Sequence, residues 1–329
     1  MKIVLDVHAH LLPLGPADVQ GLAGVEWAAE GHLVLDGAAL RNRDIYDPAK
    51  LLAWMDRHRI AQAWISPPPT AYRPQLEPAA AHIWACTVNR AMAACAAPHG
   101  ALRAMAQLPV YHPAAAVSVA HEALATGHRL FSMAAGDARR GRMLSDDAYR
   151  PLWELLNDAR AFLFLHPAGA CDGRYARFSL TNLLGGPVET AIAAAHLAMS
   201  GVLESYPDIT MCLAHGGGGT AAVAGRLARG QDTGRDGAYL GGERIRTALQ
   251  RFCVDCITHD ADALQLVASV FGKDRVLFGS DWPFDMGLKE AGAALRDTPP
   301  ELLQQLAVAN PEALLARLQL NDTEDAGHA

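Results

Sequence analysis

Short apolar runs alternate along this sequence with longer, alanine-rich amphipathic stretches, and that alternation limits the folds open to it. The runs fall at residues 3–7, 61–66, 103–108, 130–134, 161–165, 209–214, 252–256 and 275–279. Stretches with helical spacing lie at 48–58, 82–97, 113–126, 148–159, 188–200, 221–229, 260–271 and 300–310. A strand followed by a helix, repeated, implies a parallel sheet, because parallel neighbours need a crossover between them. Units repeated in this way over 329 residues close most naturally as a TIM-like (β/α)8 barrel. A doubly wound open sheet would instead carry a glycine-rich phosphate loop after the first strand, where this chain has His8-Ala9-His10-Leu11-Leu12-Pro13. Residues 14–47 are too many for a simple strand-to-helix connection and include the alternating stretch His32-Leu33-Val34-Leu35. They are expected to form a small flap inserted beside the barrel mouth. The barrel is thus expected over residues 1–318, with a loose polar tail at 319–329.

Composition narrows the function. Hydrophobic residues are 51% and charged residues 19%, too apolar for a disordered chain. The net charge is −7 and no basic stripe is present, which argues against nucleic acid or an anionic membrane as partner. No apolar run is long enough to span a bilayer, and no signal-peptide core fits the N-terminus. Cys86, Cys95, Cys171, Cys212, Cys253 and Cys256 are scattered through mostly apolar surroundings, as expected for reduced thiols in a cytoplasmic protein. Lysine occurs only at 2, 50, 273 and 289, so the cationic repertoire is mainly arginine, which suits two-pronged recognition of carboxylates.

In a barrel the reactive residues gather at the C-terminal ends of the strands. His8 and His10 sit at the end of the first run, His166 at the fifth, His215 at the sixth and Asp281 at the eighth. His8 and His10 are two apart, so regular alternation points both imidazoles the same way, with Asp6 one step deeper, where it is expected to orient a ligand histidine. A single histidine ending a strand reads most simply as a polar cap. Four coincident strand ends with nitrogen or oxygen ligands read as a metal site. Cys253-Val254-Asp255-Cys256 is a CxxC inside a strand with no partner pair, and is read as structural; His259 lies just past it. His58, His82, His121 and His196 fall on helices and are read as surface or interhelix residues.

These segments resemble the amidohydrolase superfamily, and within it the branch of aminocarboxymuconate-semialdehyde decarboxylase and related nonoxidative decarboxylases. The likeness is carried by residues 6–13, His166-Pro167, residues 184–219 with Gly186-Pro187-Val188-Glu189-Thr190 and Leu213-Ala214-His215-Gly216-Gly217-Gly218, and residues 278–287. The resemblance implies that His8, His10, His166 and Asp281 are metal ligands, with zinc usual and manganese found in some relatives. It implies that His215 is the catalytic histidine, beside the metal's water rather than on the ion. Many hydrolytic relatives bridge two metals with a carboxylated lysine ending the fourth strand; here residues 130–135 hold no lysine, which favours one metal.

The implied activity is a metal-dependent nonoxidative decarboxylation of an unsaturated or aromatic carboxylic acid, with His215 and Asp281 as proton-handling groups. A hydrolase acting through the same site on a lactone, amide or carbon–carbon bond is the alternative, and a catalytically inert metal-binding protein a third reading. Arg41 and Arg43 in the flap are both candidates for the substrate carboxylate. Arg235 falls near a family arginine that reaches into a neighbouring subunit, and a homodimer is expected on that ground. Trp282, Phe284 and Met286 are expected to wall the pocket. Gly216-Gly217-Gly218-Gly219 permits close approach by a ligand or satisfies a tight strand-to-helix turn. The family's aromatic residue after His166-Pro167 is replaced by Ala168-Gly169-Ala170, and a family tryptophan within residues 179–184 is absent; these positions shape the substrate pocket, so the resemblance implies the chemistry without naming the substrate.

Overall fold

A computed structural model describes residues 1–137, 139–169, 172–235, 237 and 240–320. Eight parallel strands form the core: β1 (Ile3–His10), β2 (Ile60–Ser66), β3 (Leu102–Ala104 continued by Ala106–Leu108), β4 (Leu130–Ala134), β5 (Phe162–His166), β6 (Thr210–Leu213), β7 (Cys253–Asp255) and β8 (Val276–Leu277). β1 pairs with β2 and β2 with the first half of β3; the second half of β3 pairs with β4, and the ladder runs on in order to β8. The last seam closes through backbone hydrogen bonds: Val7 N–H donates to the Phe278 carbonyl at 3.0 Å, and His10 N–H to the Trp282 carbonyl at 2.8 Å.

One apolar cluster draws side chains from every strand, among them Leu5, Trp64, Met105, Leu130, Phe164, Cys212, Cys253 and Leu277. Side chains from all eight strands meet in this way inside a closed ring. Leu314 and Leu315, from the helix Asn310–Arg317, join that cluster. A larger cluster fills the space between the strands and the outer helices, with Trp84 and Trp153 fully buried. Helices begin where proline stands in the first turn, as in Pro48–His58, Pro78–Ala96 and Pro113–Ala125, since the ring costs no hydrogen bond there. The helix Gly242–Leu249 takes up part of the arginine-rich stretch 226–246.

Between β1 and the helix Pro48–His58 lies the flap, an antiparallel sheet of Val25–Ala28, His32–Leu35 and Ala38–Leu40. Arg73 ties it to the barrel. Its guanidinium donates to both Asp36 carboxylate oxygens at 2.7 Å and lies 4.9 Å from the Trp84 ring. The expected tail at 319–329 lies largely outside the described residues. Among those described, no helix is long and apolar enough to cross a membrane.

Candidate metal centre

β1 is not a regular strand. Leu5 faces Gln62, yet His10 faces Ser66, so five steps on one strand match four on the other, with the irregularity between Asp6 and Ala9. Such a bulge re-aims side chains and leaves backbone donors without ladder partners. Asp6 serves those donors: its Oδ1 accepts from the N–H groups of His8 and Ser280, each at 3.0 Å. Simple alternation assigned Asp6 to orienting an imidazole, and the bulge is why it meets backbone instead. Burial pushes its carboxyl up to about 7 against the pull of those donors.

The residue that orients His8 is Asp255, at the end of β7. His8 Nδ1 donates to Asp255 Oδ2 at 2.7 Å. The same carboxylate accepts from the backbone N–H of His215 (2.9 Å), Gly216 (2.8 Å) and Ile257 (3.0 Å). Burial alone would raise the Asp255 carboxyl, but its bond to His8, the charges of His8 and His215 and the Gly216 N–H together hold it low. His10 Nδ1 meets the Ser66 hydroxyl at 3.2 Å. His166 Nδ1 lies 2.9 Å from the Pro167 carbonyl, which can only accept, so the proton sits on Nδ1.

With each Nδ1 so engaged, the Nε2 atoms of His8 and His10 are turned toward each other. His8 Nε2 and His10 Nε2 are 3.0 Å apart, and Asp281 Oδ1 lies 3.3 Å from the first and 3.1 Å from the second. His166 Nε2 is buried with no hydrogen-bond partner. Donor atoms of His8, His166, His215 and Asp281 all lie within 4.8 Å of one another. Nitrogen donors and a carboxylate packed this closely need a positive charge among them, either a proton or a metal ion. Tetrahedral donors about 2.0–2.1 Å from an ion sit about 3.3 Å apart, matching the spacing of His8, His10 and Asp281. The residues present therefore fit one divalent metal ion.

The electrostatics agree. Burial would lower the His8 imidazole, but Asp281 and Asp255 push it up to about 10, so a proton on His8 holds the positive charge that a metal ion would bring in its place. Burial would raise the Asp281 carboxyl, but His8, then His10 and His215, hold it well below the usual carboxylate range. His10 and His166 are lowered chiefly by burial, which keeps them neutral and able to bind metal. Phe164 floors the site, its ring 4.8 Å from that of His8.

His215 stands one step outward. Its Nε2 is 3.9 Å from Asp281 Oδ2, the oxygen not turned to His8 and His10, and its side chain is 23% exposed. The residue adopts φ +56° at the strand-to-helix turn, and the glycines after it are sterically required. A Cβ on Gly218 would lie 2.2 Å from the Pro187 carbonyl oxygen, and one on Gly217 2.8 Å from Phe271.

A cavity of about 910 Å³ opens over this cluster, lined by His166, His215 and Asp281 at its base and by flap residues 38–42 at its side. Arg41 lines it; Arg43 does not, and its guanidinium donates to the Glu30 carbonyl instead. Phe284 and Met286 line it, Phe284 with its ring 5.4 Å from His10. Trp282, expected there too, is buried in the core between strands and helices. His259 lies at the exposed rim. Arg235 is exposed and outside the cavity lining. Cys253 and Cys256 are buried, and their pair forms no part of the cluster.

The amidohydrolase family matches residues 5–317. The chain belongs to that family. Among curated relatives of this amidohydrolase, a 2-amino-3-carboxymuconate-6-semialdehyde decarboxylase of Caenorhabditis elegans is 25% identical over 90% of this chain and 89% of its own. One of the same name from Dictyostelium discoideum is 30% identical over 46% of this chain and 43% of its own. The chain spans about half the length of most curated relatives it matches. A dihydroxybenzoic acid decarboxylase structure from Polaromonas sp., with bound manganese and 2-nitroresorcinol, has TM-score 0.78 at 20% identity, covering 100% of both chains. That likeness supports the barrel fold of this amidohydrolase.

Proposed function

We propose that this chain is a metal-dependent nonoxidative decarboxylase acting on an aromatic or unsaturated carboxylic acid, with residues 1–318 as one catalytic unit. The observation that carries the reading is the meeting of four oriented donors, His8, His10, His166 and Asp281, under an apolar cavity whose one cationic lining residue, among those described, is Arg41. A flat apolar acid fits that division: its ring against Phe284, Ala168 and Leu183, its carboxylate toward the charged groups. Relatives that decarboxylate carboxymuconate and hydroxybenzoate acids support the same chemistry.

When bound, a divalent ion would supply Lewis-acid polarisation and local positive charge. His8, His10, His166 and Asp281 would hold it, the three imidazoles each engaged through Nδ1 by a second partner. Zinc is expected for three imidazoles and one carboxylate, with manganese the competitor. Loss of CO2 leaves an electron pair on a carbon, and that carbon needs a proton. His215 is placed to deliver it, open to the cavity and beside the negative Asp281. Arg41 would bind the substrate carboxylate and Arg235 would contribute across a homodimer. Metal content by elemental analysis and CO2 release from a panel of hydroxybenzoates and muconate-type acids test the reading. Metal-loaded protein that releases no CO2 from any of them would sink it, and sedimentation of an active monomer would remove the Arg235 role.

A further inference from the structure

Outside the barrel, on the face where two outer helices meet, three side chains of metal-ligating type converge. His82 and Cys86 are four residues apart on the helix Pro78–Ala96, which places them one turn apart on one face. Glu122 reaches across from the helix Pro113–Ala125. Its Oε1 is 2.8 Å from His82 Nε2 and its Oε2 is 3.2 Å from Cys86 Sγ, while Sγ and Nε2 are 3.9 Å apart. For bonds of about 2.0–2.1 Å to nitrogen or oxygen and about 2.3 Å to sulfur, tetrahedral ligands sit about 3.3–3.6 Å from one another. The observed spacings bracket that range, so an ion enters with sub-ångström shifts.

We propose that His82, Cys86 and Glu122 form a second divalent-metal site, of zinc class, which clips the two outer helices together. The imidazole supplies nitrogen, the thiol supplies sulfur after its proton passes to solvent, and the carboxylate supplies oxygen. The fourth position faces water, since the His82 side chain is 31% exposed and that of Glu122 57%. This site shares no residue with the one in the barrel. It also differs in kind: a thiolate selects zinc or cobalt over manganese, whereas three imidazoles and a carboxylate accept any of them. Manganese is therefore expected to fill only the barrel site, and zinc both.

The test uses the full chain with its barrel site already loaded with manganese. Titrated Co2+, which also exchanges into the barrel site, should raise a near-ultraviolet thiolate-to-cobalt absorption that Cys86→Ser abolishes and His82→Ala weakens at least tenfold. Zn2+ should slow iodoacetamide alkylation of Cys86 at least tenfold, read by peptide mass, with the half-buried Cys95 on the same helix as the unaffected reference. An absorption that survives in Cys86→Ser, or Cys86 alkylation indifferent to Zn2+, would overturn the proposal. None of these readouts depends on turnover, so the site stands or falls separately from the decarboxylase reading.

Discussion

The wall of the cavity formed by strand ends and the wall formed by the flap are built differently. On the strand side, His8 and His10 are fully buried, and each imidazole is fixed through Nδ1 to a carboxylate, a hydroxyl or a carbonyl. On the flap side, Arg41 follows a short strand, is exposed, and belongs to an inserted sheet tied to the barrel through the Arg73–Asp36 pair. The strand side can hold donors within the few tenths of an ångström that metal chemistry needs. The flap side can change its contacts without disturbing those donors. Under the proposed function, chemistry thus belongs to the rigid wall and substrate choice to the adaptable one.

Mutations can break this contrast, and the largest effects should fall on the rigid wall. His215→Asn is expected to lower kcat about 10²–10⁴-fold while the manganese content of the manganese-loaded protein stays near one equivalent, since it removes the proposed proton donor and no proposed ligand. Loss of the metal in that variant would instead assign His215 to the ion. Asp255→Asn is expected to weaken metal affinity about 10–100-fold, measured by competition with a chelator, because it loosens the aim of His8. On the flap, Arg41→Ala should raise KM about tenfold or more with a smaller change in kcat, as expected for a lost charged hydrogen bond of about 1.5–3 kcal/mol. Arg43→Ala, whose guanidinium already serves the Glu30 carbonyl, should stay within about twofold of the parent, within the small effects usual at a surface site. Equal effects from the two arginines would erase the distinction drawn between them.

The sequence made the barrel legible because buried parallel strands read as apolar runs and outer helices as amphipathic ones. The strand-ending histidines were legible for the same reason: a polar residue closing such a run stands out. What escaped was non-local. Asp255 sits in a segment whose cysteines draw the eye, and its partner His8 is 247 positions away, so no spacing rule links them. The β1 bulge defeated period-two alternation and with it the role assigned to Asp6. Trp282 directly follows Asp281, but the turn there sends its ring into the core. Arg41 and Arg43 differ only in which way a three-residue stretch carries them, which the flap sheet decides.

One consequence follows from Asp255. A single carboxylate grips both the ring of His8 and the chain at His215, so the proposed seat of the cation and the proposed courier of the proton share one hinge pin. Neither can drift without dragging the other, and a change in either would have to be negotiated through the seventh strand.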